Sequence, residues 1–127
     1  IGPDVGPVWE DGTYAAAHRA MTTAMHRLWL RPAIDPDPDV VYFRETELSA
    51  ATTRYLQDMA HIARFLGTSD PPEWLSEDER KALAGFLTER PEVSQRSRYR
   101  WQVGDHEADF QPVLAASTSE PQWKQVG

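Results

Sequence analysis

Apolar side chains recur every three or four residues in three stretches of the chain, the spacing that places them on one face of a helix. The first stretch follows Thr13, a good N-cap residue, and stops before Pro32. The second stretch runs up to Gly67, and glycine favours the position just after a helix. The third begins with Ser76 and Glu79, which have the spacing of a capping box. The pattern predicts three helices, over residues 13–30, 47–66 and 76–89.

Strict alternation of apolar and polar residues predicts a hairpin in the C-terminal third of the chain. Every second side chain in residues 98–103 is apolar, and a turn at 104–107 leads to a second alternating run that ends at Pro112. Because proline donates no ladder hydrogen bond, we expect this second strand at the edge of a sheet. The expected register pairs Trp101 with Phe110 and Gln102 with Asp109.

The order of these elements predicts an α+β fold. A short β-rich run over residues 40–43 adds one more strand. About three helices packed on a small antiparallel sheet that includes the C-terminal hairpin would bury every apolar face. The chain then divides into an N-terminal arm, a single α+β domain and a C-terminal tail, over residues 1–12, 13–114 and 115–127.

Composition narrows the class of protein. The 127-residue chain has no cysteine, which excludes disulfides and thiolate chemistry, and its net charge of -7 disfavours contact with phosphate backbones. No apolar run reaches the ~20 residues of a membrane helix. Arginine far outnumbers lysine and asparagine is absent, a bias typical of a bacterial sequence rich in GC codons. We therefore expect a bacterial, cytoplasmic protein without membrane contact.

The arginines of the hairpin are the strongest nucleic-acid signal. Arg96, Arg98 and Arg100 alternate with the aromatic residues Tyr99 and Trp101, and a hairpin after a third helix matches the winged-helix layout. Alternation turns the aromatics away from the arginines, which favours an outward sheet face with cross-strand polar pairs. A winged-helix-like nucleic-acid-binding domain is thus kept as the alternative, or the arginines meet an acidic partner protein.

Catalytic signatures are missing. The sequence has no phosphate-binding loop, serine elbow or dinucleotide fingerprint. His18 lies in an apolar stripe, Asp58 and His61 are three residues apart on one helix, and His106 falls in the expected turn, where it would be exposed to solvent. We assign no catalytic, cofactor-binding or metal-binding residue. An acid–base or metal-dependent enzyme built on scattered side chains remains a further alternative.

The leading hypothesis from the sequence is a non-enzymatic protein-interaction or regulatory domain that binds a partner protein. Trp9, Trp74 and Trp123 lie outside the main helical stripes, where exposed tryptophans are typical interface anchors. Packing of these tryptophans back onto the core is the alternative role, and we weight both roles alike. The expected contact residues are Arg96, Arg98, Arg100, Trp9, Trp74 and Trp123, and the oligomeric state stays open.

Overall fold

The computed structural model of the protein describes residues 14–33, 41–44, 48–68 and 70–115. This part of the chain contains four α-helices and a three-stranded antiparallel sheet of order β1-β2-β3, so the predicted small α+β fold is confirmed. The expected arm and nearly all of the tail lie outside the described residues. In chain order the elements are α1 (Tyr14–Arg27), a 3-10 turn (Leu28–Leu30), α2 (Ala50–Ala63), a second 3-10 turn (Pro72–Trp74), α3 (Glu77–Thr88), β1 (Val93–Ser97), β2 (Arg100–Val103), β3 (His106–Asp109) and α4 (Gln111–Ala115).

Helix α2 is shorter than its apolar periodicity predicts. It begins after Ser49, whose side-chain oxygen accepts a hydrogen bond from the backbone N–H of Thr52 at 3.1 Å. It ends at Arg64, which adopts the left-handed conformation with φ 60°. Gly67 is not the residue that closes the helix; its carbonyl instead accepts a hydrogen bond from Val41 N–H at 2.9 Å. The capping residues at both ends therefore set the length of α2, although the apolar periodicity extends further.

Helix α3 forms as the sequence predicts. The Ser76 side chain accepts from Glu79 N–H at 3.1 Å and the Glu79 carboxylate accepts from Ser76 N–H at 2.7 Å, which completes the capping box. Phe86 is the buried residue of this helix. Most of its surface thus remains exposed, and only one edge packs on the rest of the fold.

The sheet differs from the predicted hairpin in three ways. A preceding strand, β1, pairs with β2. Its side chains are mostly polar and exposed, so no apolar alternation predicts it. The turn between β2 and β3 is two residues long, with Gly104 in the left-handed conformation at φ 60°. Trp101 therefore pairs with Ala108 rather than Phe110, and Gln102 with Glu107 rather than Asp109. The shift of two residues keeps every side chain on its predicted face.

The second hairpin strand lies at the edge of the sheet, as expected, but the prediction that it extends to Pro112 is wrong. Strand β3 stops at Asp109, whose carboxylate accepts a hydrogen bond from Gln111 N–H at 3.0 Å, and helix α4 starts there. Proline at the second position of a helix needs no hydrogen-bond donor, so Pro112 suits this first turn. Phe110 and Val113 become fully buried as a result.

The strand predicted over residues 40–43 does not form within the described residues 41–44. The N–H of Val41 donates to Gly67, and the N–H groups of Phe43 and Arg44 donate to the Asp70 carboxylate. These partners replace the ladder that a neighbouring strand would supply. Val41 and Tyr42 nevertheless enter the hydrophobic core, which joins α1, α2, β2, β3 and α4.

Replacing Gly85 by alanine should raise the free energy of unfolding by about 0.5–1 kcal/mol, because glycine inside a helix loses more backbone entropy on folding. No atom lies within 4 Å of a Cβ added at Gly85, so the methyl group meets no clash. Urea denaturation followed by circular dichroism measures the change. Gly104→Ala is the control and should lower stability, because Gly104 has a positive φ. A destabilised Gly85→Ala would show that the glycine is required for packing.

Candidate functional site

A polar stripe runs along one side of α2. It consists of Arg54, Gln57, Asp58 and His61, which helical spacing places on one side of the helix. Together with α3 and the β2–β3 turn, this stripe lines a cleft of about 490 Å³, here called the α2 cleft. The cleft joins three elements that are far apart in the sequence, so it is a product of the tertiary fold.

A buried aspartate–histidine pair lies in the wall of the α2 cleft. His106 Nε2 and Asp58 Oδ1 are 2.9 Å apart, and their side chains are only 11% and 4% exposed. Because an ionised carboxylate only accepts hydrogen bonds, His106 Nε2 is the donor. The other ring nitrogen, Nδ1, is 3.7 Å from the carboxylate of the fully exposed Asp105. The pair fixes the orientation of the imidazole and ties α2 to the sheet.

Three rings form the adjacent wall of the α2 cleft. The Phe86 ring lies 5.3 Å from the Phe43 ring and 5.0 Å from the His61 ring, measured between centroids. His61 Nε2 lies 3.4 Å from the Phe86 carbonyl oxygen. Phe43 is only partly buried, so its ring adds apolar surface to a cleft whose other side is polar.

A second cluster surrounds Arg44, outside the α2 cleft. Its guanidinium carbon lies 4.8 Å from the Tyr42 ring centroid and 5.4 Å from that of Trp74, within cation–π range. Arg44 Nε is 3.2 Å from Asp70 Oδ1. Neither of these two atoms has hydrogen-bond geometry to a partner, so the contact is an ion pair rather than a hydrogen bond. The cluster anchors the segment 41–44 to the turn before α3.

The residues expected to contact a partner fall in different places. Arg98 stacks on the Tyr99 ring at 5.3 Å, and Arg100 lies 3.6 Å from both Glu107 and Asp109, the cross-strand pairing that the sequence favoured. Arg96 is exposed on β1. Trp74 is 60% exposed and stacks with Arg44, as described above. Trp9 and Trp123 lie outside the described residues.

Sequence reasoning missed the residues that the fold brings together. His106 was expected in solvent, yet it is the first residue of β3 and pairs with Asp58, 48 positions earlier. Asp58 was considered with His61 as a metal pair, and no group of three or more potential ligands is placed for a metal among the described residues. The one available signal was Asp58 itself, a carboxylate between apolar positions of α2. Trp29, within the predicted first helix, is 76% exposed.

Solved structures of a glycosidase are similar to this chain. Neither a protein family profile nor a curated protein matches the sequence. Two solved structures of TtGalA, an alpha-galactosidase from Thermus thermophilus, are similar to it. The complex with p-nitrophenyl alpha-D-galactopyranoside is 40% identical with a TM-score of 0.74, and the match covers 78% of this chain and 21% of that one. The complex with stachyose is 41% identical with a TM-score of 0.56, and the match covers 57% of this chain and 16% of that one. The chain thus spans about a fifth of the length of the enzyme it resembles.

This similarity overturns the leading hypothesis. A non-enzymatic interaction or regulatory domain was expected because reaction motifs were missing, but the matched protein is an enzyme. Neither alternative, nucleic-acid binding or an acid–base or metal-dependent enzyme, had named a glycosidase. The absence of a catalytic motif from this chain is a weak argument against catalysis, because the chain corresponds to only part of the matched enzyme's length. The cytoplasmic location stays a prediction; within the described part of the chain, every helix is too short or too polar to cross a membrane.

Proposed function

We propose that this chain is one part of a glycoside hydrolase that acts on α-galactosides. The observation that carries the proposal is the 40% identity to the Thermus alpha-galactosidase over 78% of the chain, together with a TM-score of 0.74. Both the sequence and the path of the backbone agree, which chance similarity of a small α+β fold does not produce. The chain matches one segment of that enzyme, so we assign it a part of the function.

The reacting carboxylates are expected to lie outside the α2 cleft. Glycoside hydrolysis uses two carboxyl groups that flank the scissile bond, one as acid and one as base or nucleophile. Asp58 is only 4% exposed and already binds His106, so it cannot reach a glycosidic oxygen. Asp105 is fully exposed to solvent on the β2–β3 turn at the rim of the cleft. We therefore propose that the catalytic pair belongs to a region beyond the matched segment.

A chimera tests the proposal directly. The matched residues of this chain replace the corresponding segment of the Thermus enzyme, and release of p-nitrophenol from p-nitrophenyl alpha-D-galactopyranoside is measured. We expect hydrolysis by the chimera, because the segment supplies packing surfaces that the rest of the enzyme requires. The 127-residue chain by itself should release no p-nitrophenol above background.

Two controls fix the interpretation. The Thermus enzyme without the segment should be inactive, and the intact Thermus enzyme sets the upper limit. A chimera with the circular dichroism spectrum and elution volume of the intact enzyme, but without hydrolysis, contradicts the proposed function. Hydrolysis by the 127-residue chain alone contradicts our placement of the reacting carboxylates.

A further inference from the structure

Gly85 gives the α2 cleft its width. It occupies the interior of α3, where glycine costs about 1 kcal/mol relative to alanine. Neither a positive φ nor a close neighbour explains the glycine, because nothing lies within 4 Å of an added Cβ. What the missing side chain does leave is open space between α3 and the polar stripe of α2. Glycine at position 85 thus keeps the cleft open, although alanine there would make the helix more stable.

The charges around the α2 cleft disfavour an anionic ligand. Arg54 and Lys81 contribute two cations, whereas Asp58, Glu89 and Asp105 contribute three carboxylates. A phosphate or carboxylate ligand would meet more negative than positive charge. The carboxylates are also not gathered into a metal site in the described part of the chain. Mixed donors and acceptors of this kind match a ligand that both donates and accepts hydrogen bonds but carries no charge.

The size and walls of the α2 cleft fit a sugar. Its volume of about 490 Å³ lies within the ~300–1,000 Å³ usual for small-molecule sites. The side chains of Arg54 and Gln57 supply donors, and Gln57 also supplies an acceptor oxygen. The half-buried Phe43 ring offers an apolar face to the C–H groups of a sugar ring. Asp58 holds His106 in one orientation, so this wall of the cleft is pre-organised for a ligand.

We propose that the α2 cleft is a sugar-binding site, separate from the centre that breaks the glycosidic bond. Its ligand is a neutral hexose unit, with hydroxyls bonded to the polar stripe of α2 and one C–H face against Phe43. The assignment of that hexose as galactose rests on the proposed function. Such a site would hold a part of the substrate away from the reacting bond.

A titration of the 127-residue chain with methyl α-D-galactopyranoside tests the site, with amide resonances followed by NMR. We expect millimolar binding, about 4 kcal/mol, with shifts confined to the amides of residues 54–61, 81–89 and 103–106. Gly85→Phe fills the cleft from the exposed side of α3 and should weaken binding at least about tenfold. Gly85→Ala is the matched control and should bind within about twofold of the wild type. Inorganic phosphate should produce no shifts at these amides.

Three results would overturn the sugar site: no shifts with methyl α-D-galactopyranoside or methyl α-D-glucopyranoside, equal affinity in the Gly85→Phe variant, or tighter binding of phosphate than of sugar. If the isolated chain is unfolded by circular dichroism, the same comparison is made in the chimera by hydrogen exchange. Sugar should then protect the peptides over 77–88 and 100–109, and Gly85→Phe should abolish that protection. Unchanged exchange there in the wild-type chimera also overturns the site.

The chimera separates this inference from the proposed function. An active chimera without cleft protection rejects the sugar site and keeps the proposed function. An inactive, folded chimera whose cleft binds methyl α-D-glucopyranoside rejects the proposed function and keeps a sugar site.

Discussion

Replacing Asp58 by alanine should lower the free energy of unfolding by about 2–3 kcal/mol, the usual cost of leaving a buried hydrogen-bond donor without its acceptor. The Asp58 side chain is 4% exposed and accepts the hydrogen bond of His106 Nε2 at 2.9 Å. Without it, the buried imidazole N–H has lost its acceptor, and a space is left between α2 and β3. A domain of this size has only ~5–15 kcal/mol of stability in all, so the loss would be a large fraction. Urea denaturation measures it as a fall in the midpoint at constant slope.

A double-mutant cycle shows whether the pair itself carries this effect. Asp58→Ala and His106→Ala, alone and together, should give a coupling energy of at least about 1 kcal/mol. Asp58→Asn keeps an oxygen acceptor of the same shape, so its cost should be closer to about 1 kcal/mol. Additive effects of the two alanine substitutions would contradict the pair as the link between α2 and the sheet.

Replacing Asp70 by alanine should lower the free energy of unfolding by about 2–3 kcal/mol, because it leaves buried backbone N–H groups without a hydrogen-bond acceptor. The Asp70 side chain is fully buried and accepts from Phe43 N–H at 2.6 Å and from Arg44 N–H at 3.2 Å. It also balances the charge of Arg44, which stacks between Tyr42 and Trp74. These contacts replace the strand pairing that the sequence predicted for the same segment.

The controls for Asp70 separate its two roles. Asp70→Asn keeps one acceptor oxygen for the backbone and loses the ion pair, so it should cost about 1 kcal/mol. Arg44→Met removes the charge and keeps much of the apolar stem. Urea denaturation followed by circular dichroism measures the loss in each variant. An Asp70→Ala variant with wild-type stability would show that water replaces the carboxylate at the backbone.

Only part of the candidate site could be predicted from the sequence. The periodicity of α2 places Arg54 and His61 on its polar side, so that wall of the cleft was predictable. The opposite wall was not, because Lys81 and Gly85 belong to a helix whose packing depends on one buried phenylalanine, Phe86. The pairing of Asp58 with His106 spans 48 residues. No local pattern encodes a contact at that distance along the chain.

The function was hidden for a different reason. Motif reasoning looks for complete reaction machinery, and this chain matches about a fifth of an enzyme's length. The proposed role, which is to supply packing surfaces to a larger enzyme, requires no reaction signature within the segment. Arg100, one of the expected contact residues, lies within ion-pair distance of Glu107 and Asp109 in the sheet.

The sequence by itself determined what local interactions decide: helix α3 with its capping box, the apolar faces of α1 and α2, and the side of the sheet on which Trp101 and Val103 lie. These follow from side-chain periodicity and from caps within four residues, which need no distant partner. Only the tertiary structure decided the course of the segment 41–44 and the α2 cleft. Each of these depends on contacts between elements, such as Asp58 with His106 and Asp70 with the segment 41–44, whose free energy appears only after the chain has brought them together.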